Sequence, residues 1–98
     1  MKYLPEYSPR FRRALKKLSA TDQVDVKGAV ADMLNDPSKP SLRVKRIQNA
    51  KSIKPNVFEA SANGNIRITW QYLDPLPDGT LYIFFRNVGD HDLTLKTP

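Results

Sequence analysis

The first part of the chain carries apolar residues at helical spacing. Ser8-Pro9 supplies a hydroxyl N-cap and a proline at the first helical position, which together predict the start of a helix. The buried stripe of this helix comprises Phe11, Leu15 and Leu18. Residues 1–7 are predicted to form a short strand before it, and Pro5 places that strand at a sheet edge because proline cannot donate to a ladder.

A second helix is predicted after only a few residues. Ser19 or Thr21 can cap its N-terminus, and Asn35-Asp36-Pro37 ends it because the residue before a proline disfavours the helical region. The residues predicted to face inward are Val24, Val30, Met33 and Leu34. The short connection predicts an antiparallel helical hairpin.

Beyond residue 56 the pattern changes to alternation, which is typical of half-buried strands. A β-hairpin is predicted from Val57–Ala62 and Ile66–Trp70, with Asn63-Gly64-Asn65 as its loop. A two-residue loop would mix apolar and polar residues on each face. A three-residue loop separates them, and it pairs the set Ala62 with Ile66, Ala60 with Ile68 and Phe58 with Trp70. We therefore expect the three-residue loop, with Asn65 in the left-handed region.

The same register predicts the contents of both faces of the hairpin. One face carries Glu59, Ser61, Arg67 and Thr69, so Arg67 is expected to point away from the hydrophobic side. Trp70 is expected in the core.

The third strand is predicted over Thr80–Val88. Both of its faces are apolar, as expected of a central strand that helices cover on one side. A turn over residues 89–92 follows, and Leu93–Lys96 is predicted to add a last short strand. The order of elements predicts an α+β fold: an N-terminal helical hairpin packed on one face of a mainly antiparallel sheet of three to five strands. Residues 1–98 are expected to form a single domain.

Positive charge is segregated within the chain. Six of the 16 basic residues lie between Asp36 and Glu59, where there is no carboxylate, and this block accounts for the whole net charge of +6. Its members are Lys39, Arg43, Lys45, Arg46, Lys51 and Lys54. Surface charges are usually mixed in sign, so the block indicates a polyanionic partner, with phosphate as the first candidate.

The remaining composition limits the class of function. With no cysteine and one histidine, the chain holds neither a disulfide nor a multi-histidine metal cluster, and we expect no metal and no cofactor. The N-terminal segment lacks an apolar core of signal-peptide length, and no stretch is long enough to span a bilayer. A cytoplasmic protein is therefore expected.

Three stretches resemble the RelE/ParE toxin superfamily in their order and spacing. They are YSPRFRRALKKLS at the first helix, SLRVKRIQNA…VFEASANGNIRITW through the hairpin, and IFFRNVGDHDLTL near the end. The resemblance implies the toxin of a type II toxin–antitoxin pair, silenced by a cognate antitoxin protein. For the RelE- and YafQ-like branch it implies a ribosome-associated mRNA endonuclease (an mRNA interferase). Because no constellation of carboxylates suggests a metal, we expect such cleavage to be metal-independent.

The resemblance also implies site residues. Arg67 falls at the position of the family's phosphate-binding hairpin arginine. His91, in VGDHD, matches the G-x-H turn whose histidine takes part in proton transfer. The basic segment before the hairpin supplies Lys45, Arg46, Lys51 and Lys54.

The chemistry of RNA cleavage suggests the role of each group. Attack of a 2′-hydroxyl on the adjacent phosphate needs a base, an acid and positive charge for the developing phosphorane. Arginine stays protonated, so Arg67 and Arg86 are predicted to hold phosphate, whereas His91 is the candidate for proton transfer. Asp90 and Asp92 would favour its charged form if they lie close.

The second proton-transfer group has more than one candidate. Lys51 or Lys54 is one option and Glu59 is another; we take Lys54, with Arg67 and His91, as the predicted catalytic set.

Each of these residues also has a structural interpretation. His91 suits a solvated loop, and Arg67 can form a surface ion pair with Glu59. Tyr82 and Phe84 are candidates for stacking on bases, and equally for burial at a sheet edge or under an antitoxin helix. The basic block can also serve as a groove for an acidic antitoxin tail.

Two other functions stay open on the sequence. One is a ParE-like inhibitor of DNA gyrase, which needs no proton-transfer residue. The other is a non-catalytic domain of the same fold that binds RNA or an antitoxin.

Overall fold

A five-stranded sheet with helices on both faces forms the fold in the computed structural model, which describes residues 2–47 and 56–98. In chain order the elements are β1 (Leu4–Tyr7), α1 (Pro9–Lys16), α2 (Ala20–Asn35), a turn of 3₁₀ helix (Pro40–Leu42), β2 (Lys45–Arg46), β3 (Val57–Ser61), β4 (Ile66–Tyr72), β5 (Tyr82–Asp90) and α3 (His91–Lys96). The strand order is β1-β5-β4-β3-β2. β1 runs parallel to β5 and the other pairs are antiparallel, which confirms the predicted α+β class.

Ser8 joins α1 to the sheet. Its Oγ accepts a hydrogen bond from the Phe11 backbone N–H (2.9 Å), as an N-cap does, and donates to the carbonyl oxygen of Arg86 in β5 (2.6 Å). Pro9 occupies the start of the helix, and Phe11 is buried. The predicted helix start is therefore confirmed, and its cap also sets the position of α1 against β5.

Ser19 caps α2, because its side chain accepts from the Asp22 backbone N–H. The buried stripe of α2 comprises Val26, Ala29, Val30, Met33 and Leu34. The prediction that Val24 faces inward is wrong, since Val24 is 68% exposed. Val26 and Val30 set the stripe, and a residue two positions before Val26 lies about 200° around the helix from it.

The β-hairpin has the predicted register. Phe58 pairs with Trp70, and the three-residue loop is closed by a hydrogen bond from the Ala62 N–H to the Ile66 carbonyl oxygen (3.0 Å). Trp70 is 1% exposed and stacks on Phe58, which confirms its place in the core. The prediction of a left-handed Asn65 is wrong because its φ is not positive.

The core lies between α1, α2 and one face of the sheet. Its buried members are Phe11, Val26, Ala29, Val30, Met33, Leu34, Leu42, Ala60, Ile66, Ile68, Trp70, Ile83, Phe85 and Val88. No helix within residues 2–47 and 56–98 is long and apolar enough to cross a bilayer.

The last element is the helix α3, so the predicted strand over residues 93–96 is wrong. Asp90 caps α3 through Oδ1, which accepts from the Leu93 backbone N–H (2.8 Å). Gly89 packs closely against α3, because a Cβ at that position would lie 2.7 Å from Leu93 Cδ2 and the Leu93 side chain would have to shift.

We call the face of the sheet opposite the core the outer face. α3 and the residues after it cover its centre. Thr69 Oγ1 donates to the Pro98 carbonyl oxygen (2.6 Å), and Asn87 Nδ2 donates to that of Thr97 (2.7 Å). Thr69 and Asn87 are buried as a result. Helices therefore cover both faces of the sheet, whereas the sequence predicted helices on one side only.

Candidate active site

A carboxylate lies buried on the outer face. Glu59 is in the middle of β3, and its side chain is only 3% exposed. Within the described residues Oε2 has no hydrogen-bond partner. A buried carboxylate is normally hydrogen-bonded, since desolvation of a charge is costly. Packing alone therefore does not explain why a carboxylate oxygen without a hydrogen-bond partner is buried at this position.

Three basic side chains approach Glu59 from three different elements. Lys45 Nζ in β2 and Arg67 Nε in β4 each lie 3.7 Å from Oε1, and His91 Nδ1 in α3 lies 3.6 Å from Oε2. Strand pairing explains two of these approaches, because Lys45 is directly opposite Glu59 and Arg67 is diagonal to it across β4. We call these four residues the Glu59 cluster.

The Glu59 cluster has unused hydrogen-bonding capacity. All three separations exceed hydrogen-bond length, and His91 Nδ1 is, like Glu59 Oε2, a buried atom without a partner among the described residues. The two positive charges of Lys45 and Arg67 exceed the single negative charge of Glu59, so the net charge of the cluster is positive even when the imidazole is neutral. Such a site suits a phosphodiester, which supplies negative charge and hydrogen-bonding oxygens.

Arg67 is held in a fixed orientation by its own hairpin loop. Its Nη1 donates to the carbonyl oxygens of Asn63 (2.8 Å) and Ile66 (3.3 Å), and its side chain is 20% exposed. Nη2 makes no hydrogen bond within the part of the chain that the structure describes. One end of the guanidinium is therefore anchored while the other is left for a ligand.

The side chain of Asn63 anchors this loop on α2. Its Nδ2 donates to Asp22 Oδ1 (3.0 Å) and Asp25 Oδ2 (2.9 Å), and its Oδ1 accepts from the backbone N–H groups of Asn65 and Ile66 (both 2.9 Å). Both donors and both acceptor sites of the amide are thus used. These bonds close the loop without a left-handed residue, which is why the prediction for Asn65 fails.

We expect Asn63→Ala to lower the free energy of unfolding by about 2 kcal/mol, because it leaves two carboxylates and two backbone N–H groups without their partner. Urea denaturation followed by circular dichroism measures the change. Asn65→Ala is the matched control, since the Asn65 side chain makes none of the described hydrogen bonds, and it should change stability by less than about 0.5 kcal/mol. Equal losses in the two variants would contradict the anchoring role.

The predicted basic residues before the hairpin divide into three groups. Lys45 belongs to the Glu59 cluster. Arg46 pairs with Phe58, so by strand alternation it lies on the opposite side of β2. Lys51 and Lys54 lie outside the described residues, so the predicted catalytic role of Lys54 stays a prediction.

Arg86 lies apart from the Glu59 cluster. It is the extra residue in a β-bulge, because Thr69 pairs with Asn87 whereas the adjacent Trp70 pairs with Phe85. Its Nε donates to the Pro98 carbonyl oxygen (3.3 Å), and its Nη1 donates to Gln71 Oε1. Burial and, to a smaller extent, the charge of Arg10 lower the pKa of Arg86.

The two aromatic candidates for base stacking lie at the other end of the sheet. Phe84 pairs with Gln71, four residues along β4 from Arg67, which corresponds to about 14 Å. Tyr82 is two residues further along β5. The structure therefore does not bring Tyr82 and Phe84 together with Arg67 and His91.

The neighbour of His91 is the main feature that the sequence did not identify. Asp90 and Asp92 were its expected partners, but Asp90 caps α3 and the carboxylate nearest the imidazole is Glu59. A signal did exist: the hairpin register puts Glu59 on the same face as Arg67. Within residues 2–47 and 56–98 no three histidine, cysteine, aspartate or glutamate side chains form a group that could hold a metal ion.

The overall fold is shared with solved structures of toxins and toxin–antitoxin complexes. The chain is similar to a chain of the RelBE2 toxin–antitoxin complex from Mycobacterium tuberculosis, with a TM-score of 0.67, 19% identity and coverage of 93% of this chain and 100% of that one. It is also similar to YafQ from E. coli, with a TM-score of 0.66, 16% identity and coverage of 94% and 97%.

A third similar structure is the YoeB/ParE toxin from Agrobacterium tumefaciens, with a TM-score of 0.70, 4% identity and coverage of 89% of this chain and 97% of that one. At these identities the likeness establishes the fold. No family model matches the sequence, and comparison with curated proteins finds no match.

Proposed function

We propose that the protein is the toxin of a type II toxin–antitoxin pair, and that it cleaves mRNA on the ribosome in the cytoplasm. The observation that carries this proposal is the Glu59 cluster, in which a buried carboxylate, whose Oε2 has no hydrogen-bond partner among the described residues, lies beside an arginine, a lysine and a histidine. The fold supports it, since the similar structures include toxins and toxin–antitoxin complexes. A cognate antitoxin is the proposed protein partner.

The proposed reaction is attack of a 2′-hydroxyl on the adjacent phosphorus. A bond forms between O2′ and phosphorus, the bond between phosphorus and O5′ breaks, and the products carry a 2′,3′-cyclic phosphate and a 5′-hydroxyl. Glu59, as a carboxylate, takes the proton of the 2′-hydroxyl, and His91, as an imidazolium, gives a proton to O5′. Glu59 Oε2 and His91 Nδ1 lie 3.6 Å apart, so the proposed base and acid are adjacent, and the two side chains must separate for a phosphate to lie between them.

Lys45 and Arg67 supply the positive charge that the phosphorane needs. Arg67 is the stronger contributor because Asn63 and Ile66 hold its guanidinium in place before the substrate arrives. Arg46, Lys51 and Lys54 are proposed to bind flanking phosphates. Lys54 is also the alternative to Glu59 as the second proton-transfer group.

His91→Gln is expected to slow RNA cleavage about 100-fold while changing RNA affinity less than about twofold, because the amide keeps a hydrogen-bonding side chain but cannot supply a proton. Two measurements check this: single-turnover cleavage of message on purified ribosomes, and mapping of mRNA 5′ ends after induced expression. Wild type should produce new 5′ ends inside translated codons.

Lys96→Gln, also in α3 and exposed, serves as the control and should cleave like wild type. Growth arrest with intact message and damaged DNA would instead favour a gyrase inhibitor. Cleavage by His91→Gln at the wild-type rate would show that His91 takes no part in the reaction.

A further inference from the structure

A second basic concavity lies at the edge of β5, where β1 ends and α1 begins. It has a volume of about 320 Å³ and is lined by Ser8, Pro9, Arg10, Arg13, Phe84 and Arg86. Three of these residues are arginines and none is acidic. We call this concavity the arginine groove.

No acidic side chain of the described residues pairs with the arginines of the groove. Arg10, Arg13 and Arg86 take part in none of the ion pairs found among residues 2–47 and 56–98. Arg10 also stands at the N-terminus of α1, where the helix dipole disfavours a cation. Arginine does not relieve such repulsion by losing its proton. The groove is therefore a region of positive potential that favours an anionic ligand.

Arg86 is prepared to bind such an anion. Its backbone carbonyl accepts from Ser8 Oγ, and its guanidinium donates to Pro98 and Gln71. Two of the five guanidinium N–H donors are used in this way, and three are left. A guanidinium whose direction is already set loses little entropy when it binds phosphate oxygens.

Phe84 distinguishes between possible anions. Its partly exposed ring lies in the same concavity as the three arginines. Sites for single-stranded nucleic acid combine these two components, because a base stacks on the ring while the phosphates contact the cations. An acidic peptide would use the charge but not the ring.

The groove is also aligned with the Glu59 cluster. Arg86 is next to Asn87 in β5. Asn87 pairs with Thr69 in β4, and Thr69 pairs with Glu59 in β3. Neighbouring strands lie about 4.8 Å apart, so the backbones of Arg86 and Glu59 are separated by roughly 10 Å across the sheet. Thr97 and Pro98 cover Thr69 and Asn87 between the two sites, so an RNA strand that occupies both must pass around these two residues.

We infer that the arginine groove binds the phosphates and one base of single-stranded RNA that flanks the cleaved phosphodiester. This inference rests on the proposed function and adds to it a second RNA contact on the opposite side of the sheet from Lys45 and Arg46 in β2.

The test removes two charges from the groove with Arg10→Gln combined with Arg13→Gln; both residues are exposed, so the fold should persist. The probe is a short single-stranded RNA with 2′-O-methyl groups, which cannot be cleaved, and its binding is followed by fluorescence anisotropy over a range of KCl concentrations. Affinity should fall about tenfold, and the slope of log K against log salt should fall by about 1.4.

The matched control is Lys16→Gln combined with Lys27→Gln, which removes two exposed charges that do not line the groove, and it should change the salt slope by less than about 0.3. Phe84→Leu should weaken binding about tenfold without changing the slope, because stacking releases no counterions.

The outcomes separate this inference from the proposed function. If the groove variant and the control have equal affinity and slope, the groove does not bind RNA. If the groove variant keeps RNA affinity but loses binding of poly-glutamate, the occupant is an acidic peptide and the inference is wrong. If the groove variant shows the predicted change in salt slope but the wild type cleaves nothing on ribosomes, the groove binds RNA and the proposed reaction is wrong.

Discussion

Glu59→Gln should slow RNA cleavage about 1,000-fold and, in the same protein, tighten RNA binding several-fold. Glutamine keeps the size of the side chain but cannot take the proton of the 2′-hydroxyl. The substitution also removes the negative charge that lies within 3.7 Å of Lys45 and Arg67, so these cations become fully available to phosphate. A slower enzyme that binds better is a combination that a simple loss of folding would not produce.

Single-turnover cleavage measures the first effect, and anisotropy with the 2′-O-methyl RNA measures the second. Glu6→Gln is the matched control, because it removes the same charge from an exposed position in β1 and should leave cleavage unchanged. Unchanged cleavage by Glu59→Gln would exclude Glu59 as the base. Weaker RNA binding would show that its carboxylate does not compete with phosphate for the two cations.

Arg67→Ala should also lower the cleavage rate about 1,000-fold, because it removes the preorganised charge beside the phosphorane. Arg67→Lys should recover only part of this rate, since an ammonium group cannot keep the anchor to Asn63 and Ile66 and contact phosphate through a second nitrogen at the same time. The rates are measured under single-turnover conditions with enzyme in excess. Circular dichroism of both variants checks that they are folded.

Arg46→Ala provides the comparison for Arg67→Ala. Arg46 is an exposed cation on the opposite side of β2, so its loss should slow cleavage less than about tenfold. If Arg46→Ala and Arg67→Ala reduce the rate equally, the effect of Arg67 is general electrostatic attraction and not a contact in the reaction.

The parts of the fold that could be predicted are those that local pattern determines. Ser8-Pro9 defines the start of α1, and the alternation around residues 63–65 selects a single hairpin register, because a slip by one residue would expose the apolar face. That register also places Glu59 and Arg67 on one face. Two of the four residues of the Glu59 cluster could therefore be placed on the same face from the sequence.

The rest of the site depends on contacts between distant segments. The fold-back of α3 onto the outer face buries Glu59 and brings His91 within 3.6 Å of it. A six-residue helix has too weak an intrinsic preference to be recognised from its own residues, so the segment was predicted as a strand. The prediction for Asn65 failed for a similar reason. Its loop is held by hydrogen bonds from Asn63 to α2, which is distant in the chain.

The parallel pairing of β1 with β5 has a consequence for the order of assembly during translation. Leu4–Tyr7 lies beside Tyr82–Phe85, and the bond from Ser8 to Arg86 spans 78 positions. The N-terminal strand therefore has no partner until residues 82–85 have emerged, and His91 emerges later still. A nascent chain consequently cannot complete the Glu59 cluster until residue 91 has been synthesised and has folded back onto the sheet.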